Sequence, residues 1–208
     1  MYKILLISLL LLAYSSKTSN QNAENNMENK SNLEYILLAG GCFWCVEAVF
    51  QNLNGVESVE SGYCGGNTPN PSYEEVCSGE TGYAEAVKIG FNPEIISLSD
   101  ILEVFFATHD PTTLNRQGAD IGTQYRSEIF YYNENQEKII KNYIEFLEKE
   151  KVFDDKIVTK ITSQSKFYKA ENYHQNYYNN NKFQGYCRMV INPKLEKLKS
   201  KFSDKIKK

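Results

Sequence analysis

The chain has 208 residues, a formal net charge of −3 and 41% hydrophobic content. That is enough apolar material for one domain with a proper core. So small a charge gives no electrostatic reason to expect nucleic acid as a partner.

In chain order, Lys3 is followed by an apolar run over residues 4–14 and then by Ser15, Ser16 and Lys17. The run is too short to span a bilayer comfortably and has the form of a secretory signal, with Ala13-Tyr14-Ser15 as a small-x-small cleavage site. Residues 1–16 are therefore expected to be a signal peptide and the protein to be exported, periplasmic or secreted; an uncleaved N-terminal membrane anchor is the alternative. No cysteine follows the run, which excludes a lipid-anchored one. Residues 17–32 are polar, Asn-rich and without periodicity, and read as a disordered linker. The folded domain is expected over 33–208.

"EYILLAGG" is a short apolar run closed by glycines, which suits a buried strand ending in a tight turn. From Cys42, the residues Val46, Val49, Phe50 and Leu53 recur at helical spacing until Gly55. A weak strand is expected over 56–63, then a long loop over 62–82, crowded with Gly, Pro, Asn and Ser. Residues 83–91 alternate: Tyr83, Glu85, Val87, Ile89 and Phe91 share one face, and Ala84, Ala86, Lys88 and Gly90 the other. Ser97 and Asp100 form a capping-box-like start to a helix carrying Ile101, Leu102, Val104 and Phe105. A second polar loop, 107–126, leads to a strand at "EIFYY". A long helix is marked by Ile139, Ile140, Tyr143, Ile144 and Leu147, and another strand by "KIVTKIT". The order is β-α-β-β-α-β-α-β, whose first six elements match the split β-α-β arrangement of ferredoxin-like folds. The fold class expected is α+β, a two-layer ferredoxin-like core with long active-site loops and an extended C-terminal tail holding a Tyr-rich segment and a Lys-rich helix.

Cys42 falls at the start of a helix, where free backbone N–H groups and the helix dipole favour an anion. Both effects are expected to lower its thiol pKa and make it a nucleophile. Gly40 and Gly41 let the chain bend there, and Phe43 and Trp44 are placed to form an aromatic wall beside the sulfur. Cys42 and Cys45 also have the spacing of a thioredoxin-type redox pair or half a zinc site. A zinc site needs two further close ligands, and His109 and His174 lie far apart, so no metal is expected. Glu85 stands where an apolar residue belongs; desolvation there raises a carboxyl pKa and leaves a proton to give. A thiolate and a neutral acid together equip a site to reduce a polarised S=O or to cleave an acyl bond. The five cysteines are Cys42, Cys45, Cys64, Cys77 and Cys187. An odd number in an oxidising compartment leaves one thiol unpaired, paired between molecules, or redox-active.

The stretches "GGCFWCVEAVF", "NPSYEEVCSGETGYAEAV", "HDPTTLNRQGADIGTQYRS", "AENYHQNYY" and "GYC" resemble the peptide methionine sulfoxide reductase A family, in order and across nearly the whole domain. The resemblance implies Cys42 as nucleophile, Phe43 and Trp44 as the holders of the sulfoxide methyl group, and Glu85 as the acid that protonates the oxygen. It implies Tyr73 and Tyr125 as phenols bonded to that oxygen, Asp120 as a polar member of the pocket, and Cys187 as resolving cysteine. The activity implied is reduction of methionine S-sulfoxide, peptide-bound and free, through a sulfenic acid and an intramolecular disulfide. A thioredoxin-like dithiol would reset the enzyme. No cofactor is implied, and the chain is expected to be a monomer. Tyr83 stands where the family often has His. Cys45 competes with Cys187 for the resolving role, and a pairing of Cys64 with Cys77 is left open. His174 is read first as a structural group, among tyrosines that pack over the active-site loop. A general thiol–disulfide oxidoreductase using Cys42 and Cys45 is the second enzymatic reading, but it has no use for Glu85, Tyr73 and Tyr125. A disulfide-stapled binding domain is the third, and it has no reason for glycines and aromatics around one thiol.

Overall fold

The computed structural model describes residues 33–208, so the signal and linker expected over 1–32 lie outside the described residues. The first strand, β1 (Glu34–Gly40), is buried on both faces from Ile36 onward and has a strand at either edge. Ile36 and Leu38 join the main core, and Leu37 and Ala39 a smaller cluster on the opposite face. Helix α1 (Phe43–Phe50) follows with Cys42 as its N-cap, and β2 (Val56–Cys64) runs one residue further than expected.

The loop expected over 62–82 contains a short helix, α2 (Tyr73–Cys77). Ser72 and Glu75 close a full capping box around its first turn, which is enough to hold five residues helical amid Gly and Pro. Strand β3 (Ala84–Phe91) alternates as its sequence indicates. Tyr83, Val87, Ile89 and Phe91 belong to the main core, and Ala84 and Ala86 to the small cluster. Helix α3 (Leu98–Thr108) starts at the Ser97–Asp100 capping box. The second long loop holds a two-stranded hairpin, β4 (Arg116–Gln117) and β5 (Asp120–Ile121), and a 3-10 turn at Thr123–Tyr125.

Strand β6 (Ser127–Tyr131), helix α4 (Glu134–Lys149) and strand β7 (Lys160–Ser163) make a parallel crossover. "KIVTKIT" is strand only from Lys160; upstream, Val158 spends its N–H on Pro111 O at 2.8 Å instead. Strand β8 (Tyr168–Lys169) adds to β2, and α5 (Tyr177–Asn180) and α6 (Asn192–Lys201) complete the chain.

The sheet order is β7-β6-β1-β3-β2-β8. Its inner four strands, β6-β1-β3-β2, pair antiparallel throughout. β1 and β2, joined through α1, enclose β3, and β3 and β6, joined through α3, enclose β1, which is the split β-α-β core. The C-terminal tail does not hang free. Asn54 N donates to Lys205 O at 2.8 Å and Lys207 N to Asn52 O at 2.9 Å, fastening the last residues beside the end of α1. The site lies where β1 and β2 end and β3 begins.

Candidate active site

The turn from β1 into α1 needs both its glycines. Gly41 has φ +91°, and a Cβ there would lie 2.5 Å from Gln117. A Cβ on Gly40 would lie 2.8 Å from the Phe105 ring. Cys42 therefore stands at the mouth of α1, only 8% exposed, with its carbonyl accepting from Cys45 N at 3.0 Å. The next amide, Phe43 N–H, donates to Glu85 Oε2 at 2.9 Å. A buried carboxyl thus takes the first free donor of the helix that carries the thiol.

Glu85 is 1% exposed and pairs across the sheet with Tyr63. Burial pushes its pKa from the ordinary 4.5 up to about 8, against the pull of the Phe43 amide. It is chiefly the neutral acid at pH 7. Its other oxygen, Oε1, is buried and has no hydrogen-bond partner among the described residues.

The thiol behaves differently from the expectation. Burial pushes Cys42 well above its ordinary value, and a hydrogen bond with Cys45 and the nearness of Glu85 add to the rise. The helix-start amide that would have favoured a thiolate is itself engaged by Glu85. Cys45 goes the other way, lowered by the Cys42 hydrogen bond and, against burial, by the Lys194 ammonium.

Phe43 is fully buried, with the Tyr73 ring stacked at 6.4 Å and 18° and the Tyr63 ring at 5.9 Å. Trp44 is half-buried and lies flat on Tyr177, centroids 3.6 Å apart at 6°. Burial, and then Glu85, raise the Tyr73 and Tyr125 phenols, so both stay protonated donors beside the acid. The two long loops that bring them in are clasped together. Thr123 Oγ1 donates to Gly79 O at 3.1 Å and Gln124 Nε2 to Cys77 O at 3.3 Å. Asp120 accepts from Tyr186 OH at 2.8 Å, and the same hydroxyl is 3.6 Å from Cys45 Sγ. A cleft of about 430 Å³, lined by Cys42, Cys45, Asp120, Tyr186 and Lys194 among others, opens onto both thiols.

All five thiols are free. Cys187 is not on a loose tail: it is fully buried at the start of a π-helical turn, Cys187–Ile191. Cys64 lies in the small cluster on the back of the sheet, bonded to Ser165, while Cys77 is exposed on α2, so the two do not meet.

The model of the peptide methionine sulfoxide reductase family matches residues 34–206. The chain belongs to the peptide methionine sulfoxide reductase family. It is 54% identical over 193 residues to the peptide methionine sulfoxide reductase MsrA of Deinococcus radiodurans, covering 93% of each chain. Among solved structures it is similar to Mxr1 of Saccharomyces cerevisiae in reduced form, with a TM-score of 0.69 and 34% identity over 76% of this chain and 90% of that one. It is also similar to Mxr1 in complex with Trx2, with a TM-score of 0.50 and 25% identity over 71% and 86%.

Within this family frame the structure brings Cys42, Phe43, Trp44, Tyr73, Glu85, Asp120 and Tyr125 to one end of the sheet. Three contributors escaped sequence reasoning. Tyr186, inside the Gly-Tyr-Cys motif, links Asp120 to the cysteine pair. Glu47 is a buried carboxyl on α1, its pKa raised by burial, that accepts from Asn176 N at 2.8 Å and Tyr177 N at 3.2 Å. Glu171 accepts from Tyr63 OH at 2.8 Å and Tyr73 N at 3.0 Å. A charged residue on the buried face of α1 was the one legible signal, at Glu47.

Proposed function

We propose that this protein reduces methionine S-sulfoxide, in proteins and free, to methionine, with Cys42 as nucleophile and Glu85 as acid. The observation that carries this reading is the Glu85 carboxyl: buried, chiefly protonated near neutral pH, tied to the amide next to Cys42, and with one oxygen left for a partner. A sulfoxide oxygen is a strong acceptor and fits that carboxyl, and the phenols of Tyr73 and Tyr125 supply further donors to it.

The Cys42 thiol holds its proton at rest, with the Glu85 carboxyl beside it. As the sulfoxide oxygen takes the Glu85 proton, the carboxylate left behind takes the thiol proton, and the sulfur attacks the sulfoxide sulfur. This attack makes a bond between the two sulfurs. The oxygen then passes from the substrate sulfur to the Cys42 sulfur as the sulfur–sulfur bond breaks, its electron pair going to the substrate. Methionine leaves reduced by two electrons and Cys42 is left as a sulfenic acid. A second thiol condenses with it, releasing water and forming a disulfide. The aromatic wall of Phe43 and Trp44 is suited to the methyl group and gives a chiral pocket its preference for the S epimer.

We assign the second thiol to Cys187. The turn it begins is π-helical, a form that occurs mostly as single-turn bulges and frequently at functional sites, and Gly185, two residues upstream, has open space around it. One observation favours Cys45 instead: it lines the same cleft as Cys42 and sits one helical turn away, its N–H donating to Cys42 O at 3.0 Å. A thioredoxin-like dithiol as the external donor rests on the likeness to the Mxr1–Trx2 complex; the monomer state and export through residues 1–16 are proposed from sequence. The test is turnover of the two separated epimers of a methionine sulfoxide peptide with a dithiol. Turnover of the S epimer alone is the expected result, and turnover of neither overturns the reading.

A further inference from the structure

Trp44 is the chain's one tryptophan. Its face is covered by Tyr177, and its Nε1–H donates to His174 Nδ1 at 3.1 Å. An indole nitrogen only donates, so the imidazole Nδ1 carries the lone pair and a neutral His174 has its proton on Nε2. Burial lowers the His174 pKa and keeps the ring neutral. Nε2 itself is buried with no hydrogen-bond partner among the described residues, Glu171 Oε2 being 3.9 Å away. The bond to Trp44 is therefore the one hydrogen bond this side chain makes among the described residues.

The same imidazole touches the other walls of the pocket, with centroid distances of 4.9 Å to Phe43 and 4.4 Å to Tyr73. The backbone on either side of it is pinned. Glu171 holds Tyr63 and Tyr73 upstream, Gln175 bonds to both Ser61 N and Ser61 O, and Glu47 holds the amides of Asn176 and Tyr177 downstream. A buried carboxyl is costly to place, and here the buried Glu47 and the partly exposed Glu171 fix the segment whose ring orients the tryptophan.

We propose that His174 is a positioning and specificity-determining residue, whose Nδ1 locks the Trp44 indole in one orientation and thereby limits the small substituent on the sulfoxide sulfur to methyl. This rests on the reductase reading above. A fixed apolar wall discriminates against one extra methylene by roughly 10- to 200-fold. A wall free to turn gives that discrimination up.

The test uses the full chain and two variants. His174→Phe keeps a ring among rings but offers no acceptor, and His174→Asn keeps an acceptor near the Nδ1 position. In 15N-labelled wild type, a through-hydrogen-bond coupling between the single indole nitrogen and an imidazole nitrogen is expected, and its absence overturns the proposal without any variant. In His174→Phe the indole N–H should exchange with solvent at least about 10-fold faster. The preference for methionine sulfoxide over ethionine sulfoxide in kcat/KM should fall by roughly 10-fold. His174→Asn should keep both near wild type. An unchanged preference in His174→Phe, or equal losses in both variants, overturns it, since packing alone would then explain the effect. Failure of wild type to reduce either substrate would instead sink the reductase reading, while the indole coupling still decides the hydrogen bond.

Discussion

Replacing Glu85 by Gln should stabilise the fold while crippling the chemistry. In the native state the carboxyl titrates at about 8 rather than 4.5, so between those values the folded chain holds a proton that the unfolded chain has released. Unfolding then releases a proton, and stability falls as pH rises through that window. At about 1.4 kcal/mol per pKa unit, the loss reaches about 3 kcal/mol by pH 7 and nearly 5 kcal/mol by pH 9. Gln keeps an oxygen for the Phe43 amide and does not titrate. The gap in unfolding free energy between variant and wild type should therefore widen in favour of the variant by these amounts from pH 4 upward. Urea titrations of both proteins at several pH values measure it, and the other carboxylates cancel in the difference. The single-turnover rate of sulfoxide reduction should fall about 100-fold or more in the same variant. A stability gap that is flat with pH would refute the buried neutral acid, and an unchanged rate would refute its role.

Wild-type single-turnover rates should decline as pH rises through about 8, where Glu85 loses the proton it must donate, and Glu85→Gln should lack this limb; a wild-type rate still climbing at pH 9 contradicts the assignment. Cys187→Ser should release one methionine per chain and then stall with a thioredoxin-type donor, while dithiothreitol restores cycling. If Cys45→Ser stalls and Cys187→Ser does not, the resolving role belongs to Cys45. Tyr186→Phe removes a hydroxyl that lowers the Cys42 thiol, so alkylation of Cys42 near neutral pH should slow; an unchanged rate–pH profile would exclude that contact.

Much of the fold is legible in local patterns. The alternation of residues 83–91 separates the two faces of β3, and Ser97–Asp100 starts α3. Glu85 is legible too, because a carboxylate on an apolar strand face is a local anomaly. What escapes is decided by partners distant in sequence. The Cys42 thiol is raised chiefly by burial, and the Phe43 amide that a helix-start rule would aim at an anion serves Glu85, 42 positions away. Cys187 looks mobile behind Gly185 until Tyr186 is seen bonded to Asp120 and Lys194 to Thr108 O. The role of His174 depends on an indole 130 positions upstream. Helix α2 is missed for a local reason: five residues are too few for periodicity to show, and the Ser72–Glu75 box lies hidden in a Gly/Pro-rich segment.

The central claim is that the sulfoxide oxygen passes to Cys42. The direct measurement is a rapid-quench single turnover of the reduced chain carrying Cys45→Ser and Cys187→Ser, with each epimer of a methionine sulfoxide peptide and a sulfenic-acid trap. One methionine per chain is expected from the S epimer and none from the R epimer, with the trap's mass on Cys42 alone. Methionine released without label on Cys42, or an equal yield after Cys42→Ser, would contradict it.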